Sequence, residues 1–230
     1  MAEMALGYGS EYQLLRFLGH HRIELDKEIK KVLNTEEAIY WFDYPKSDKR
    51  LSQDSEWKGI DCFKKNEANF SEIESAWKKF WPQSGNSINW DGILKCGDTY
   101  YFVEAKAHED ELKSSCDARK EESRKQIKAA FEKTIKWLKC ESDEDSWIGS
   151  KNYQLANRLA FICFCECNGI KARLVYINFI NGYRAPVKDL SIANKEEWQE
   201  IWEKKYAELK LTEDKLKNKL YHVYINCAQK

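Results

Sequence analysis

The sequence has few residues that break regular structure, with only three prolines and ten glycines among 230 residues. This scarcity argues against a loop-dominated fold, and the chain contains no internal repeat. Nine tryptophans, twelve tyrosines and ten phenylalanines exclude a disordered chain, and a hydrophobic fraction of 43% is sufficient for a sizeable core. We therefore expect a single folded domain over residues 1–230.

The chain also lacks net charge, since 38 basic residues balance 38 acidic residues and the pI is near 6.9. Non-specific nucleic-acid binders usually have a basic surface, so neutrality weighs against such a function without excluding it, because the distribution of charge matters more than its sum. Long apolar runs are absent too. The run Leu159 to Cys165 is far shorter than the roughly 20 residues of a membrane span, so no membrane partner is expected.

The amino terminus lacks the basic start and the apolar core of a secretory signal. Eight cysteines without such a signal indicate reduced thiols and a cytoplasmic protein. The chain has no C-x-x-C pair, although Cys163, Cys165 and Cys167 would share one face of a predicted strand. These thiols leave a zinc or iron–sulfur site open as an alternative. Core packing is favoured, because free cysteine is a common core residue.

The most informative segment is a predicted β-hairpin with arms at 88–96 and 99–107. Gly97-Asp98 is a two-residue turn signal, and this turn pairs residues whose numbers sum to 195. Asp91 is therefore predicted to lie directly opposite Glu104, and the alternation of side chains places Lys106 on the same face. Asn89 and Phe102 are predicted to share that face. The other face is predicted to be the core side, formed by Trp90, Leu94, Tyr101, Val103 and Ala105.

Two carboxylates opposite each other in a sheet repel by roughly 0.2–1 kcal/mol. Lys106 offsets part of this repulsion, and a divalent cation would offset it better. Mg²⁺ prefers oxygen ligands and is often bound by one or two carboxylates together with a substrate phosphate. The pattern thus predicts a metal site for a phosphate-containing substrate; the alternative is an ordinary hairpin that ends in an exposed ion pair.

Asp91, followed after the hairpin by Glu104-Ala105-Lys106, resembles the active-site motif of the PD-(D/E)XK nuclease superfamily. This group includes restriction endonucleases, Holliday-junction resolvases and repair nucleases. Trp90 stands where that motif usually has a proline. The predicted order of elements also matches the superfamily core, which is a helix, a three-stranded meander, a second helix and a further strand.

The resemblance implies an α/β restriction-endonuclease-like fold, with a mixed sheet flanked by helices. We expect residues 46–87 to be an insertion before the active-site hairpin and residues 187–230 to be a helical C-terminal extension that ends in a strand. The aromatic residues of the insertion would either stack on bases or cover the core, and the second is favoured.

The implied activity is Mg²⁺- or Mn²⁺-dependent hydrolysis of a nucleic-acid phosphodiester, with DNA favoured over RNA as the substrate. Asp91, Glu104 and the carbonyl of Ala105 would hold the metal. Lys106 would orient the attacking water, stabilise developing charge or act as a base. Symmetric cleavage of a duplex would favour a homodimer. The alternative is a non-catalytic nucleic-acid-binding or scaffold protein on the same fold.

Ser10 and Gln13 form a capping-box pattern that predicts one helix from Ser10 to about Val32. The resemblance implies that an acidic residue on the first helix supplements the metal site, and Glu11 is the best match. The alternative is that Glu11 only interacts favourably with the helix dipole.

The segment Lys113 to Lys139 carries nine basic and four acidic residues, and it is predicted to be a long helix from about Ser114. Its basic side chains, with Lys125 as the representative, would either hold a phosphate backbone or form a solvated face. A short helix at 153–158 presents further nucleic-acid candidates, Gln154, Asn157 and Arg158. Arg158 would pair either with a phosphate or with an acidic residue inside the fold.

The remaining predicted elements are strands at 38–44, 159–168, 172–180 and 221–225 and helices at 73–81 and 195–209.

Overall fold

The computed structural model describes residues 9–44, 56–85, 87–183 and 191–227. Its main sheet has five strands, β1 (Ile39–Trp41), β4 (Gly92–Cys96), β5 (Thr99–Lys106), β6 (Ala172–Ile180) and β7 (Leu220–Asn226), in that spatial order. The first three strands form an antiparallel meander, β6 runs parallel to β5, and β7 runs parallel to β6. Two short strands, β2 (Trp57–Lys58) and β3 (Asn89–Trp90), form a separate ladder. The mixed sheet predicted from the sequence is thus confirmed.

Helices cover both faces of the sheet, as is usual when strands are buried on both sides. The helices are α1 (Ser10–His20), α2 (Arg22–Leu33), α3 (Phe70–Phe80), α4 (Glu121–Leu138), α5 (Glu144–Gly149), α6 (Tyr153–Cys167), α7 (Lys195–Glu208) and α8 (Glu213–Leu216). One core lies between the sheet and α1 and α2, and a larger one lies between the other face and α3 to α8. In the described ranges, no helix is both long enough and apolar enough to cross a membrane.

The prediction of a strand at 159–168 is wrong, because these residues continue α6 to Cys167. An unbroken apolar run fits a strand buried on both faces, and it equally fits a helix buried on all sides. The residues from Leu159 to Cys165 are all no more than 1% exposed, because α6 packs against both the sheet and α4. The face shared by three thiols therefore does not exist: Cys163 and Cys165 are buried in the helix, whereas Cys167 is exposed.

The single helix predicted from Ser10 to Val32 is in fact two helices that meet at His21. The backbone of His21 leaves the helical region at φ −131°, and the break allows α1 to contact β5 while α2 contacts β7. The predicted capping box is also wrong. Gly9 is the N-cap and no side chain caps the helix, because the Gln13 amide instead donates to the Gly182 carbonyl at 3.1 Å.

The described part of the predicted insertion, residues 56–85, covers the larger core. Trp77 lies on α3 and is 6% exposed, and Trp81, directly after α3, is 3% exposed. The Trp77 ring packs against Phe161 and Phe164 of α6. Stacking on bases is therefore not open to these two tryptophans.

The helix predicted from Ser114 begins only at Glu121, because Ser114 forms an isolated bridge with Asn152. The buried stripe predicted for this helix, which contains Phe131 and Ile135, is confirmed. The strand at 172–180 and the helix at 195–209 are confirmed too, and the predicted terminal strand is β7, the fifth strand of the sheet.

Candidate active site

Asp91 lies at a bulge where β3 gives way to β4. Gly92 pairs with Val103, as the predicted register requires, but the Asp91 N–H also donates to the Val103 carbonyl at 3.1 Å. Both residues thus face Val103, and Asp91 is not directly opposite Glu104 as the regular hairpin predicted. A bulge of this kind bends the strand and redirects its side chains. It explains why Trp90 packs on Phe102, with ring centroids 4.8 Å apart, instead of pointing with Leu94.

The bulge directs the Asp91 carboxylate to the backbone of β5. Its Oδ2 accepts a hydrogen bond from the Ala105 N–H at 2.7 Å, and its own carbonyl accepts one from the Tyr44 hydroxyl at 2.6 Å. Burial and the nearby Glu104 charge raise the pKa of Asp91 to about 7, against the lowering effects of Lys106 and the Ala105 N–H. The aspartate is thus held at a position where its charge is costly, and this is typical of functional carboxylates.

Glu104 is 1% exposed, and a cation contacts each of its oxygens. The Lys106 ammonium donates to Oε2 at 3.1 Å, and the Arg158 guanidinium donates to Oε1 at 2.5 Å. Arg158 comes from α6, which therefore fixes Glu104 across the layer between helix and sheet. The pair Glu104–Lys106 that the sequence predicted on one face is confirmed.

Arg158 is an internal lock on Glu104. Its other nitrogens donate to the Asn157 side chain at 2.8 Å and to the Asn89 carbonyl at 2.7 Å, and its guanidinium lies 4.8 Å from the Trp90 ring centroid. Of the two roles the sequence left open for Arg158, the structure therefore shows the pairing with an acidic residue. Asn157 is 8% exposed and orients this arginine.

Lys106 is 5% exposed and lies among three carboxylates. Burial alone would lower the pKa of Lys106, but Glu104, Asp91 and Glu111 raise it above its ordinary value. The raised pKa favours the protonated lysine, which is the form that can stabilise negative charge. Glu111 has no sequence pattern that marks it as a site residue, and its carboxylate also accepts the Ala107 N–H at 2.7 Å.

Glu11 lies at the rim of the site. Glu11 as a whole is an exposed residue. Its carboxyl group is nevertheless partly shielded from water, and this shielding together with the Glu56 charge raises its pKa. Burial raises the pKa of the Tyr44 phenol, and the charges of Asp91, Glu11 and Glu56 raise it further.

The structure does not bring Lys125 into this site. Lys125 is an exposed residue of α4, its ammonium pairs with Glu121 at 2.8 Å, and within the described ranges it has no contact with Asp91 or Glu104. Gln154 lies in the first turn of α6, beside a small pocket that also contains Lys205. Lys205 is not among the predicted site residues, although it stands on the buried stripe of α7 where an apolar residue is expected.

Comparison of the chain with protein-family models, with curated proteins and with solved structures finds no match. Within the described residues, no group of three or more His, Cys, Asp or Glu side chains is arranged to hold a metal ion. Asp91 and Glu104 with one carbonyl form a smaller set. A cation bound there would keep ligands from water or substrate, as Mg²⁺ commonly does.

The raised pKa of Asp91 predicts a specific pH dependence of stability. Between about pH 4 and pH 7 the folded protein holds a proton on Asp91 that the unfolded chain has released, so its contribution to stability falls as the pH rises. Asp91→Asn removes this loss of stability, because asparagine does not ionise in this pH range. Its amide oxygen can still accept the Ala105 N–H. When the pH is raised from 5 to 8, the free energy of unfolding of the variant should therefore rise by roughly 2 kcal/mol relative to that of wild type. Urea unfolding without metal measures this change.

The matched control is Asp98→Asn in the exposed hairpin turn, where the side chain is 89% exposed. This variant should track wild type at every pH. A pH-independent difference between Asp91→Asn and wild type would show that Asp91 has an ordinary pKa and would remove the electrostatic argument for the site.

Proposed function

We propose that this protein hydrolyses nucleic-acid phosphodiesters, DNA in preference to RNA, in a reaction that depends on Mg²⁺ or Mn²⁺. The observation that carries the proposal is the bulge at Asp91. It places one carboxylate on the Ala105 N–H, next to Glu104 and Lys106, where burial and the Glu104 charge raise the pKa of Asp91 to about 7. Perturbed carboxylates concentrate at functional sites, and a cation-binding site requires concentrated negative charge.

The residues present fit a divalent cation. Asp91, Glu104 and the Ala105 carbonyl would hold it, because carboxylate and carbonyl oxygens are the ligands that Mg²⁺ prefers. The metal, when bound, supplies Lewis acidity and lowers the pKa of a water molecule. Arg158 keeps Glu104 in place from α6, and Lys106, being protonated, would neutralise charge that develops on the phosphoryl oxygens. Glu11 and Glu56 at the rim would support the cation through their charge.

The order of the elements supports the same proposal. Helices α1 and α2 precede the meander β1-β4-β5, and helices α4 to α6 then lead to β6, which lies parallel to β5. This is the order of the PD-(D/E)XK core, and the proposed site stands at the end of β5, where that superfamily has its motif. A restriction-endonuclease-like core is therefore part of the proposal, and a homodimer would allow cleavage of both strands of a duplex.

The second candidate is a non-catalytic nucleic-acid-binding or scaffold protein on the same fold. The contacts of Glu104 favour it, because Lys106 and Arg158 already balance the charges of Glu104 and Asp91 without a metal. Such a protein would bind DNA in a salt-dependent way and leave it intact.

A cleavage assay distinguishes the two candidates. We expect wild type to cut plasmid, linear duplex or single-stranded DNA in millimolar Mg²⁺ or Mn²⁺, and EDTA to abolish the reaction. Asp91→Asn should lose at least about 1,000-fold in rate, because it removes a ligand of the reacting metal. Asp98→Asn should keep wild-type activity. Cleavage that persists in Asp91→Asn would refute the site, and DNA binding without cleavage would favour the second candidate.

A further inference from the structure

The bulge that directs Asp91 into the site leaves one backbone carbonyl without a partner in the ladder. The Asp91 N–H donates to the Val103 carbonyl at 3.1 Å, whereas no backbone N–H of the described residues donates to the Asp91 carbonyl. A bulge disrupts the ladder locally, so the ladder alone does not fix the position of the extra residue. The position of Asp91 therefore depends on contacts outside the ladder.

Tyr44 supplies the missing donor. Its hydroxyl donates to the Asp91 carbonyl at 2.6 Å, and the residue is half-buried. Directly after the end of β1, the Phe42 N–H still donates to the Ile93 carbonyl at 2.9 Å, and the same antiparallel register continued along the chain would place Tyr44 opposite Asp91. The chain that leaves β1 thus reaches the bulge through a side chain, where the backbone ladder has ended.

Two hydrogen bonds therefore hold Asp91 from opposite ends. The Tyr44 hydroxyl holds its backbone carbonyl, and the Ala105 N–H holds its carboxylate at 2.7 Å. The backbone and the side chain of one residue move together, so release of the carbonyl would also give the carboxylate more freedom. A cation would then have to order the carboxylate as it binds, and the entropy lost in that ordering would lower its affinity.

We propose that Tyr44 is a positioning residue of the metal site: its hydroxyl fixes the bulge and so holds the Asp91 carboxylate ready for a divalent cation. This inference rests on the proposed function, because it assigns Tyr44 a role toward the proposed metal. Groups that orient the ligands of a metal from behind typically change metal affinity or activity by about 10–100-fold when they are removed. A hydrogen bond that only ties the end of β1 to the sheet would have no such effect.

Tyr44→Phe removes the hydroxyl and keeps the ring, and Tyr100→Phe is the matched control. The Tyr100 hydroxyl donates to Glu67 Oε1, also at 2.6 Å, and Tyr100 is 2% exposed. Tyr100 lies near the start of β5, whereas the proposed ligands Glu104 and Ala105 lie near its end. Both variants should unfold at lower urea concentration than wild type, so only an effect that is specific to Tyr44→Phe belongs to the site.

Calorimetric titration with Mn²⁺, without nucleic acid, measures the metal affinity directly. Tyr44→Phe should bind Mn²⁺ at least about tenfold more weakly than wild type, and Tyr100→Phe should stay within about twofold of wild type. In the cleavage assay, Tyr44→Phe should need more Mg²⁺ for the half-maximal rate, and its rate at saturating Mg²⁺ should fall less than its metal affinity. An equal loss of affinity in both variants, or no loss in Tyr44→Phe, would overturn the proposal.

Hydrogen exchange in the metal-free protein measures the effect on the bulge by itself. In Tyr44→Phe the Ala105 N–H should exchange about three- to tenfold faster relative to the other amides of β5, the range expected for the loss of one ordinary hydrogen bond. Tyr100→Phe should not single out Ala105. Unchanged exchange of the Ala105 N–H in Tyr44→Phe would show that the hydroxyl does not hold Asp91, and this result would also overturn the proposal.

The failure of this inference and the failure of the proposed function are distinguishable. Metal binding and cleavage that are present in wild type and unchanged in Tyr44→Phe would overturn the role of Tyr44 alone. A wild-type protein that binds no Mn²⁺, with or without duplex DNA, would refute the proposed function and with it the role of Tyr44 toward a metal.

Discussion

Lys106→Met is expected to lower the rate of metal-dependent DNA cleavage by at least about 100-fold while metal binding persists. The ammonium donates a hydrogen bond to Glu104 at 3.1 Å, and three carboxylates raise its pKa, so in the proposed reaction it would offset negative charge and would not hold the cation. Methionine has a similar length and fills the same buried space. Single-turnover cleavage at saturating metal, with a parallel metal titration, separates the two effects.

The control for this prediction is Lys113→Met, which replaces a lysine that is 48% exposed and pairs with Asp110. Lys113→Met should keep the cleavage rate within about twofold of the wild-type rate, because exposed ion pairs contribute little. If Lys106→Met cleaves as fast as Lys113→Met, Lys106 has no part in the reaction. If Lys106→Met instead loses metal binding altogether, the lysine is needed to assemble the site and the charge-stabilising role is wrong.

Arg158→Met is expected to destabilise the fold by about 3–5 kcal/mol, because it removes one of the two cations that contact a nearly inaccessible Glu104. The variant also leaves the Asn89 carbonyl and the Asn157 side chain without their donor. Urea unfolding gives the free energy. Adding Glu104→Gln to this variant should recover part of the loss, because the buried charge is then absent.

Arg173→Met is the matched control for Arg158→Met. Arg173 also pairs with a glutamate, Glu166, but the two side chains are 23% and 31% exposed, and water can replace either partner. Its loss should cost about 1 kcal/mol or less. Equal costs for the two arginine variants would show that Glu104 is hydrated in solution and would remove the internal lock from the account.

The predictable part of the structure followed from local rules. The Gly97-Asp98 turn fixed the register of β4 and β5, and Gly97 has the positive φ of 55° that such a turn requires. The pairing of Glu104 with Lys106 then followed from the alternation of side chains along one strand. The buried stripe of α7 followed from helical spacing in the same way.

The errors came from features that only tertiary contacts decide. The bulge at Asp91 has no local signature, and it rotated Trp90 to the other face of the sheet. The residues from Leu159 to Cys165 are all apolar, so they have no alternation of apolar and polar side chains that would distinguish a strand from the fully buried helix α6. Two partners of the site, Glu111 and Arg158, come from other segments of the chain. Arg158 reaches the site because α6 packs on the sheet, and Glu111 reaches it because the chain folds back after β5.

The most direct test of the central claim combines stability and cleavage on one preparation of Asp91→Asn. If a residue serves function at the expense of stability, its replacement should raise the stability of the protein and lower its activity. We predict that the variant unfolds at higher urea concentration than wild type at pH 8 and cuts DNA at least about 1,000-fold more slowly in Mg²⁺. A variant that is less stable than wild type at pH 8 and still cuts DNA at the wild-type rate would contradict the account.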